Sequence, residues 1–307
     1  MCVVLLALSV SASPASAQTR TMTAQEQTNL KMVSDWWREV IQAGHVEFAD
    51  KYMAEDYMQH NPNINTGRAA FVTIFGRRAP RDIPAALTPA PVIQFAKGDY
   101  VVFVWEREAK DPMGNAYKYN FFDLVRVENG KVQEHWDSVF KATTAPAGQP
   151  VAGIVTQGLG PKPVKPRNTA DEQKAEDIAN IEFKDILQYG HLELADKLIA
   201  PGYIQHNPNV PTGRAGFVEF FKQFARPEPI KAEWKDEPEL IITNGNLVFY
   251  MMRRFSTEPS DASKAYKWNW FDMVRVENGM VAEHWDMAMK SQPPASVPRP
   301  AGFKEYR

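Results

Sequence analysis

Two short motifs, each present twice, carry most of the residues in this chain that could do chemistry. Gln-His-Asn-Pro-Asn begins at Gln59 and again at Gln205, and Glu-His-Trp-Asp begins at Glu134 and again at Glu283. A Phe-Asp pair lies shortly before each copy of the second motif. The candidate catalytic residues are His60, Asp123, His135 and Asp137 in one copy, and His206, Asp272, His284 and Asp286 in the other.

These residue types fit acid–base chemistry on a carbonyl compound. A carboxylate in an apolar site can remove a proton next to a carbonyl group, while a histidine or a protonated carboxyl holds the oxygen on which charge develops. Such a reaction needs no cofactor, so the sequence predicts neither a cofactor nor a metal. One alternative stays open, because His60, His135 and Asp137 would form a two-His-one-carboxylate metal site if they converged.

The motifs belong to a long internal repeat. The segment 44–68 matches 190–214 at 16 of 25 positions, and 121–137 matches 270–286 at 13 of 17. All 6 histidines fall into repeated pairs. We therefore predict a duplicated domain, and 307 residues is a suitable length for two domains.

Composition sets the domain boundaries and excludes some partners. Residues 1–17 combine a short apolar stretch with Ala15-Ser16-Ala17, which is typical of a secretory signal and predicts an exported, periplasmic or secreted protein. We expect one domain over 23–141, a Pro- and Gly-rich linker over 142–168, a second domain over 169–290 and a Pro-rich tail over 291–307. A net charge of -2 gives no reason to expect nucleic acid, and no segment is long and apolar enough to predict a membrane span.

Each copy predicts helices first and then a meander of strands. Helical apolar spacing covers Thr23 to Ala43, a second short helix and Gly67 to Arg77, and strands follow up to Asn129-Gly130, a typical two-residue hairpin turn. This order predicts an α+β fold of two tandem cone-shaped domains, each with three helices on a curved, mostly antiparallel sheet. The predicted pocket walls are Tyr57, Trp105, Tyr119, Phe121 and Trp136, with Tyr203, Trp268, Trp270 and Trp285 in the second copy.

Strand alternation limits how the acidic residues can meet. Counting back from the hairpin turn pairs Asp123 with Trp136, which places His135 and Asp137 on the opposite face of the sheet. Asp123 and Asp137 can share one pocket only if a bulge or the strand end reorients one of them. The structural alternatives are that His60 caps a turn and that His135 makes cross-strand or interdomain hydrogen bonds.

The order of elements and both motifs resemble the nuclear transport factor 2-like superfamily, and within it the SnoaL-like group of polyketide cyclases. Asp137 and Asp286 match the aspartate that is the acid/base in that group, and Asp123 and Asp272 match a pocket acid of related isomerases. The resemblance implies a cofactor-independent lyase or isomerase for a small, partly apolar carbonyl substrate, or alternatively a non-catalytic ligand-binding module. Relatives pair their sheets as dimers, so we expect the two copies to form an intrachain pseudo-dimer.

Overall fold

The computed structural model describes residues 21–142, 160–291, 293–301 and 303. The segment 1–17 that is predicted to be an export signal, most of the predicted linker and the end of the tail lie outside the described residues. In the described part of the chain, no helix is long and apolar enough to cross a membrane.

The first domain opens with its helices. Helix α1 spans Ala24–Trp36 and continues as a wider π-helical turn over Trp37–Gln42. It begins at Thr23, whose side chain accepts from the backbone N–H of Glu26 while Glu26 accepts from the backbone N–H of Thr23, a reciprocal cap. The short helix α2 (Ala49–Tyr52) and helix α3 (Arg68–Phe75) complete the layer.

Five strands form the sheet of the first domain: β1 (Met53–Gln59), β2 (Ile93–Lys97), β3 (Tyr100–Lys110), β4 (Ala116–Glu128) and β5 (Lys131–Asp137). Their order in space is β1-β5-β4-β3-β2, with β1 parallel to β5 and the other pairs antiparallel. Asn129 and Gly130 both have positive φ, 50° and 71°, as the predicted two-residue turn requires.

The second domain repeats this arrangement. Its helices are α4 (Ala170–Asn180), continued by a π-helical turn over Ile181–Gln188, then α5 (Ala195–Leu198) and α6 (Arg214–Lys222). Its strands are β6 (Ile199–Gln205), β7 (Leu240–Asn244), β8 (Leu247–Glu258), β9 (Asp261–Glu277) and β10 (Met280–Asp286), in the order β6-β10-β9-β8-β7. The predicted α+β class with two tandem cone-shaped domains, each of three helices on a mostly antiparallel sheet, is confirmed.

A bulge in β5 changes the register that strict alternation gives. Val127 pairs with Val132 but Arg126 pairs with Glu134, so Gln133 is an extra residue. Beyond it Asp123 lies opposite Asp137 and not Trp136, and β10 has the same shift, which leaves Ala282 as its extra residue and sets Asp272 opposite Asp286. The bulge is the condition that the sequence required for Asp123 and Asp137 to share a face.

The two sheets pack against each other through their outer faces. Phe122 stacks on Phe271 with ring centroids 5.9 Å apart, inside one core cluster that includes side chains of both domains. Buried charges cross the same interface: Lys97 Nζ donates to both carboxylate oxygens of Glu172 at 2.7 Å. The inner face of each sheet packs on its own helices, and each domain has a separate core there.

Three of the aromatic residues that were predicted to line the pockets lie in this interdomain cluster instead. They are Trp136, Trp268 and Trp285. For Trp136 and Trp285 the reason is the bulge, because a shift of one residue moves each indole from the inner to the outer face. Trp268 packs edge-on against Phe140 of the first domain, and its indole N–H donates to Ser256.

Candidate functional site

The bulge brings Asp123, His135 and Asp137 together on the inner face of the first sheet, and we call this group cluster 1. His135 Nε2 lies 3.0 Å from Asp123 Oδ1, and Asp123 Oδ2 accepts from the indole N–H of Trp105 at 2.6 Å. Asp123 is 1% exposed, so both of its oxygens are satisfied by protein groups and not by solvent.

Two polar residues of the first motif hold cluster 1 in place. Because β1 runs parallel to β5, Gln59 lies beside His135 and shares its face. Gln59 Oε1 accepts from the backbone N–H of Asn61, which leaves Gln59 Nε2 to donate to His135 Nδ1 at 3.2 Å. In the neutral form, His135 therefore carries its proton on Nε2, towards Asp123.

Asp137 is the member of cluster 1 with unused hydrogen-bonding capacity. Its Oδ2 accepts from Asn61 Nδ2 at 2.7 Å, while its buried Oδ1 has no hydrogen-bond partner among the described residues. Desolvation raises the pKa of Asp137 to about 6, with Asp123 adding to the rise and His135, Asn61 and Arg107 opposing it. A carboxyl with such a pKa can accept and return a proton near neutral pH.

The pKa of His135 is also shifted. Burial lowers it, but the hydrogen bond to Asp123 and the charges of Asp123 and Asp137 outweigh burial, so the net pKa is raised. Trp36 and Trp37 stand edge-on to the imidazole at centroid distances of 5.9 and 5.7 Å, and Trp37 stacks on Trp105. An aromatic wall therefore encloses His135, while Asp137 lies at the partly exposed end of cluster 1.

The mouth of the first site carries one cation that motif reasoning missed. Arg107 lies on β3, where it pairs with Tyr119, and its guanidinium sits 3.4 Å from the centre of the Phe121 ring. Tyr119 is half-buried and Phe121 is buried on the same face of β4. Arg107 lies in the charged run Glu106-Arg107-Glu108, which is typical of an exposed strand end, so only the structure shows it near Asp137.

The second domain has the corresponding cluster 2, formed by Asp272, His284 and Asp286. His284 Nε2 lies 3.2 Å from Asp272 Oδ1, and Asp286 accepts from Asn207 Nδ2 at 2.7 Å and from the backbone N–H of Ala288 at 2.8 Å. Desolvation raises the pKa of Asp286 to about 6. Burial lowers the pKa of His284, but Asp272 and Glu182 outweigh it and raise the value to about 10.

His60 and His206 lie outside the clusters, contrary to the sequence prediction. His60 shares the outer face with Glu134, which it contacts through Nε2 at 2.9 Å, and its ring stacks on Trp136 at 4.3 Å. His206 repeats both contacts with Glu283 and Trp285. Burial lowers the pKa of His60. In this motif the residues on either side of the histidine, Gln59 and Asn61, face the cluster, because neighbouring strand residues point to opposite faces.

The two-His-one-carboxylate site is therefore not formed. One histidine and two carboxylates converge instead, with candidate ligand atoms within 4.8 Å of one another in cluster 1 and in cluster 2. In cluster 1 both ring nitrogens of His135 already have protein partners, Asp123 and Gln59. A metal would have to displace one of these partners.

The predicted pocket aromatics divide between the two faces. Tyr57, Trp105 and Phe121 belong to the inner core of the first domain, and Tyr203 belongs to that of the second. Trp270 is partly buried and touches both the inner core and the interdomain cluster. Burial raises the pKa of Tyr57 and of Tyr203 well above the usual value, so both phenols keep their proton.

Comparison with known proteins finds one family twice. The SnoaL-like domain profile matches residues 33–135 and 181–284, which together make up more than half of the chain. No curated protein sequence matches the chain.

Solved structures similar to the chain include two candidate polyketide cyclases. One, from Acidithiobacillus ferrooxidans, is 22% identical over 37% of this chain and 86% of its own, with a TM-score of 0.28. Another, from Bacillus cereus, is 16% identical over 43% of this chain and 87% of its own, with a TM-score of 0.29. An NTF2-like protein of unknown function from Burkholderia pseudomallei is 19% identical over 36% of this chain and 89% of its own, with a TM-score of 0.27.

Proposed function

Since the chain belongs to the SnoaL-like domain family, we propose that it is a cofactor-independent lyase or isomerase for a small, partly apolar carbonyl compound. The observation that carries the proposal is Asp137: one of its oxygens is buried without a hydrogen-bond partner among the described residues, beside the His135–Asp123 pair. A free carboxylate oxygen in a desolvated site is the group that proton abstraction next to a carbonyl requires.

In the proposed reaction Asp137 takes a proton from the carbon next to the carbonyl. The electron pair of the broken C–H bond moves to form the enolate, whose oxygen becomes negative. His135 carries a proton on Nε2, which faces Asp123. We place the enolate oxygen where it can share that hydrogen bond. The proton on Asp137 then returns to carbon at the same or another position. Alternatively, the enolate carbon attacks a second carbonyl carbon in an aldol step, and the proton on Asp137 goes to the alkoxide oxygen that forms.

In cluster 2, Asp286 is the residue that would remove the proton next to the carbonyl. Its raised pKa, about 6, matches that of Asp137, although both of its oxygens accept hydrogen bonds. The second site therefore starts from a more fully satisfied aspartate, although each of its oxygens keeps a lone pair that can take a proton.

Proton exchange from solvent D2O tests the reaction class without knowledge of the natural substrate. The wild-type chain should speed deuterium incorporation next to the carbonyl in a panel of small β-hydroxy ketones and enones, followed by NMR. Replacing both acids, Asp137→Asn with Asp286→Asn, should remove the catalysis because neither amide can accept the proton. Exchange at the wild-type rate in this double variant would contradict the mechanism.

A ligand-binding module without chemistry is the second candidate. The stacking of Trp37 on Trp105, with both Trp36 and Trp37 edge-on to His135, favours it, because an aromatic enclosure of this kind suits retention of an apolar ligand. The same panel decides between the two: binding of several probes without deuterium exchange would favour the module.

We further propose that the chain acts as a monomer outside the cytoplasm. The packed sheets give each domain an intrachain partner, and residues 1–17 have the composition of an export signal. We expect the protein to elute from gel filtration at the mass of one chain and to be recovered outside the cytoplasm.

A further inference from the structure

The two clusters are built alike, but the charge around them differs. At the end of the first helix of each domain, the position of Trp36 in the first domain is occupied by Glu182 in the second. Glu182 is 0% exposed, and neither of its carboxylate oxygens has a hydrogen-bond partner among the described residues. The cation beside it is the imidazole of His284, whose Nδ1 lies 3.6 Å from Glu182 Oε1.

A second replacement removes a hydrogen-bond donor. In the first domain the indole N–H of Trp105 donates to Asp123, whereas Met252 occupies the same place on β8 and has no N–H to offer Asp272. A third difference concerns the arginine at the mouth. Arg107 acts on Asp137, while its counterpart Arg254 pairs with Asp236 at 2.5 Å.

The balance of buried charge is therefore unequal. Cluster 1 sets two carboxylates against His135 and the nearby Arg107. Around cluster 2, three carboxylates, those of Glu182, Asp272 and Asp286, share one cation among the described residues, His284. An uncompensated buried carboxylate is costly, and a bound cation is one way to offset that cost.

The rings around Glu182 suit an organic cation. Phe183 packs on Tyr250 at a centroid distance of 4.4 Å and stands edge-on to His284 at 5.5 Å. Aromatic faces attract ammonium groups and also cover an apolar body. A bare metal ion is a poorer fit, because both ring nitrogens of His284 already have protein partners: Tyr203 lies 3.1 Å from Nδ1, and Asp272 lies 3.2 Å from Nε2.

We propose that the second domain selects small apolar ligands that carry an ammonium group, which Glu182 binds, whereas the first domain selects neutral ones. The inference rests on the proposed placement of ligands at the two clusters but not on the acid–base reaction. It therefore assigns different substrate classes to two sites of common origin.

Calorimetric titration of the whole chain at pH 7.5 with three probes of one shape tests this proposal. 2-Phenylethylammonium should bind at one site per chain, and in competition at that site it should bind at least tenfold more tightly than 2-phenylethanol, while 3-phenylpropionate should bind weakest there. This comparison uses the wild-type protein and needs no variant. Equal affinity of the ammonium and the alcohol in competition at the same site would overturn the proposal.

Variants then locate the site. Glu182→Gln should weaken ammonium binding at least tenfold, while Glu193→Gln, the same change at an exposed residue, should leave it unchanged. Unchanged binding in Glu182→Gln, or displacement of the ammonium by ZnCl2 or MgCl2 alone, would contradict an organic-cation site. Deuterium exchange without selective binding of the ammonium probe would contradict only this inference. Selective binding of the ammonium probe without deuterium exchange would contradict only the proposed reaction.

Discussion

At the scale of single residues, the burial that makes Asp137 ready to accept a proton also lowers the stability of the folded protein at neutral pH. Its carboxylate is desolvated, which raises its pKa from 3.8 to about 6. The folded state therefore binds this proton more tightly than the unfolded state does. The contribution of Asp137 to stability is greatest at low pH, falls as the pH rises from about 4 through about 6, and stays low above that.

Replacing Asp137 by Asn should consequently stabilise the protein at pH 7 while it removes activity in the first domain. The neutral amide avoids the desolvated charge and can still accept from Asn61, so we expect a gain of about 1–3 kcal/mol in the free energy of unfolding. Urea denaturation at pH 7 measures it. The gain should vanish near pH 4, and Asp99→Asn, at an exposed residue, should give no gain at either pH.

Sequence reasoning found the right motifs but not always the right residue within them. Asp123, His135 and Asp137 were predicted and do meet in one cluster. Gln59 and Asn61 were missed, since the more reactive His60 between them drew the prediction, although strand alternation makes His60 and its two neighbours face opposite ways. Glu182 was not among the predicted site residues, because its burial depends on the helix packing against the sheet.

At the scale of elements, the β5 bulge decides which side chains enter the site. The sequence does not locate the bulge, because Val132-Gln133-Glu134 contains no glycine to mark it. The hairpin turn, the helix caps and the strand order leave local signals, and the fold class was therefore predictable. The register beyond the turn was not, because the packing of both sheet faces sets it.

Deleting Gln133 should remove the bulge without turning any other side chain to the opposite face, because Gln133 is the residue of β5 that lies opposite none on β4. His135 and Asp137 stay on the inner face, so we expect the variant to fold cooperatively and to keep cluster 1. Circular dichroism and thermal melting give the measurement. Gln133→Ala is the matched control, because among the described residues that side chain bonds only to Asp56, in an exposed setting. Loss of cooperative folding in the deletion variant alone would contradict the assignment of Gln133 as the extra residue.

At the scale of the whole molecule, the interdomain interface is part of the fold and not a loose contact. Its apolar cluster draws on both sheets, and the Lys97–Glu172 pair within it is almost fully buried. A buried charge left without its partner is strongly destabilising. The polar residues of the interface were not predictable from one sequence, because each partner lies in the other domain.

Lys97→Met should therefore lower the free energy of unfolding by about 3–5 kcal/mol, because the Glu172 carboxylate loses the cation opposite it. Lys174→Met breaks an exposed pair with Asp171 and should cost at most about 0.5 kcal/mol. Denaturant unfolding of the whole chain compares the two variants. Similar losses in both would show that the interface pair contributes no more than a surface contact.

The titration of Asp137 and Asp286 tests the central claim most directly, since it needs no substrate. Carboxyl 13C NMR of the whole chain, with Asp137→Asn and Asp286→Asn used for assignment, should show two aspartates with pKa values of about 6. Values at or below 4 for both would mean that neither carboxyl is poised to exchange a proton near neutral pH, and would contradict the acid–base account of the two sites.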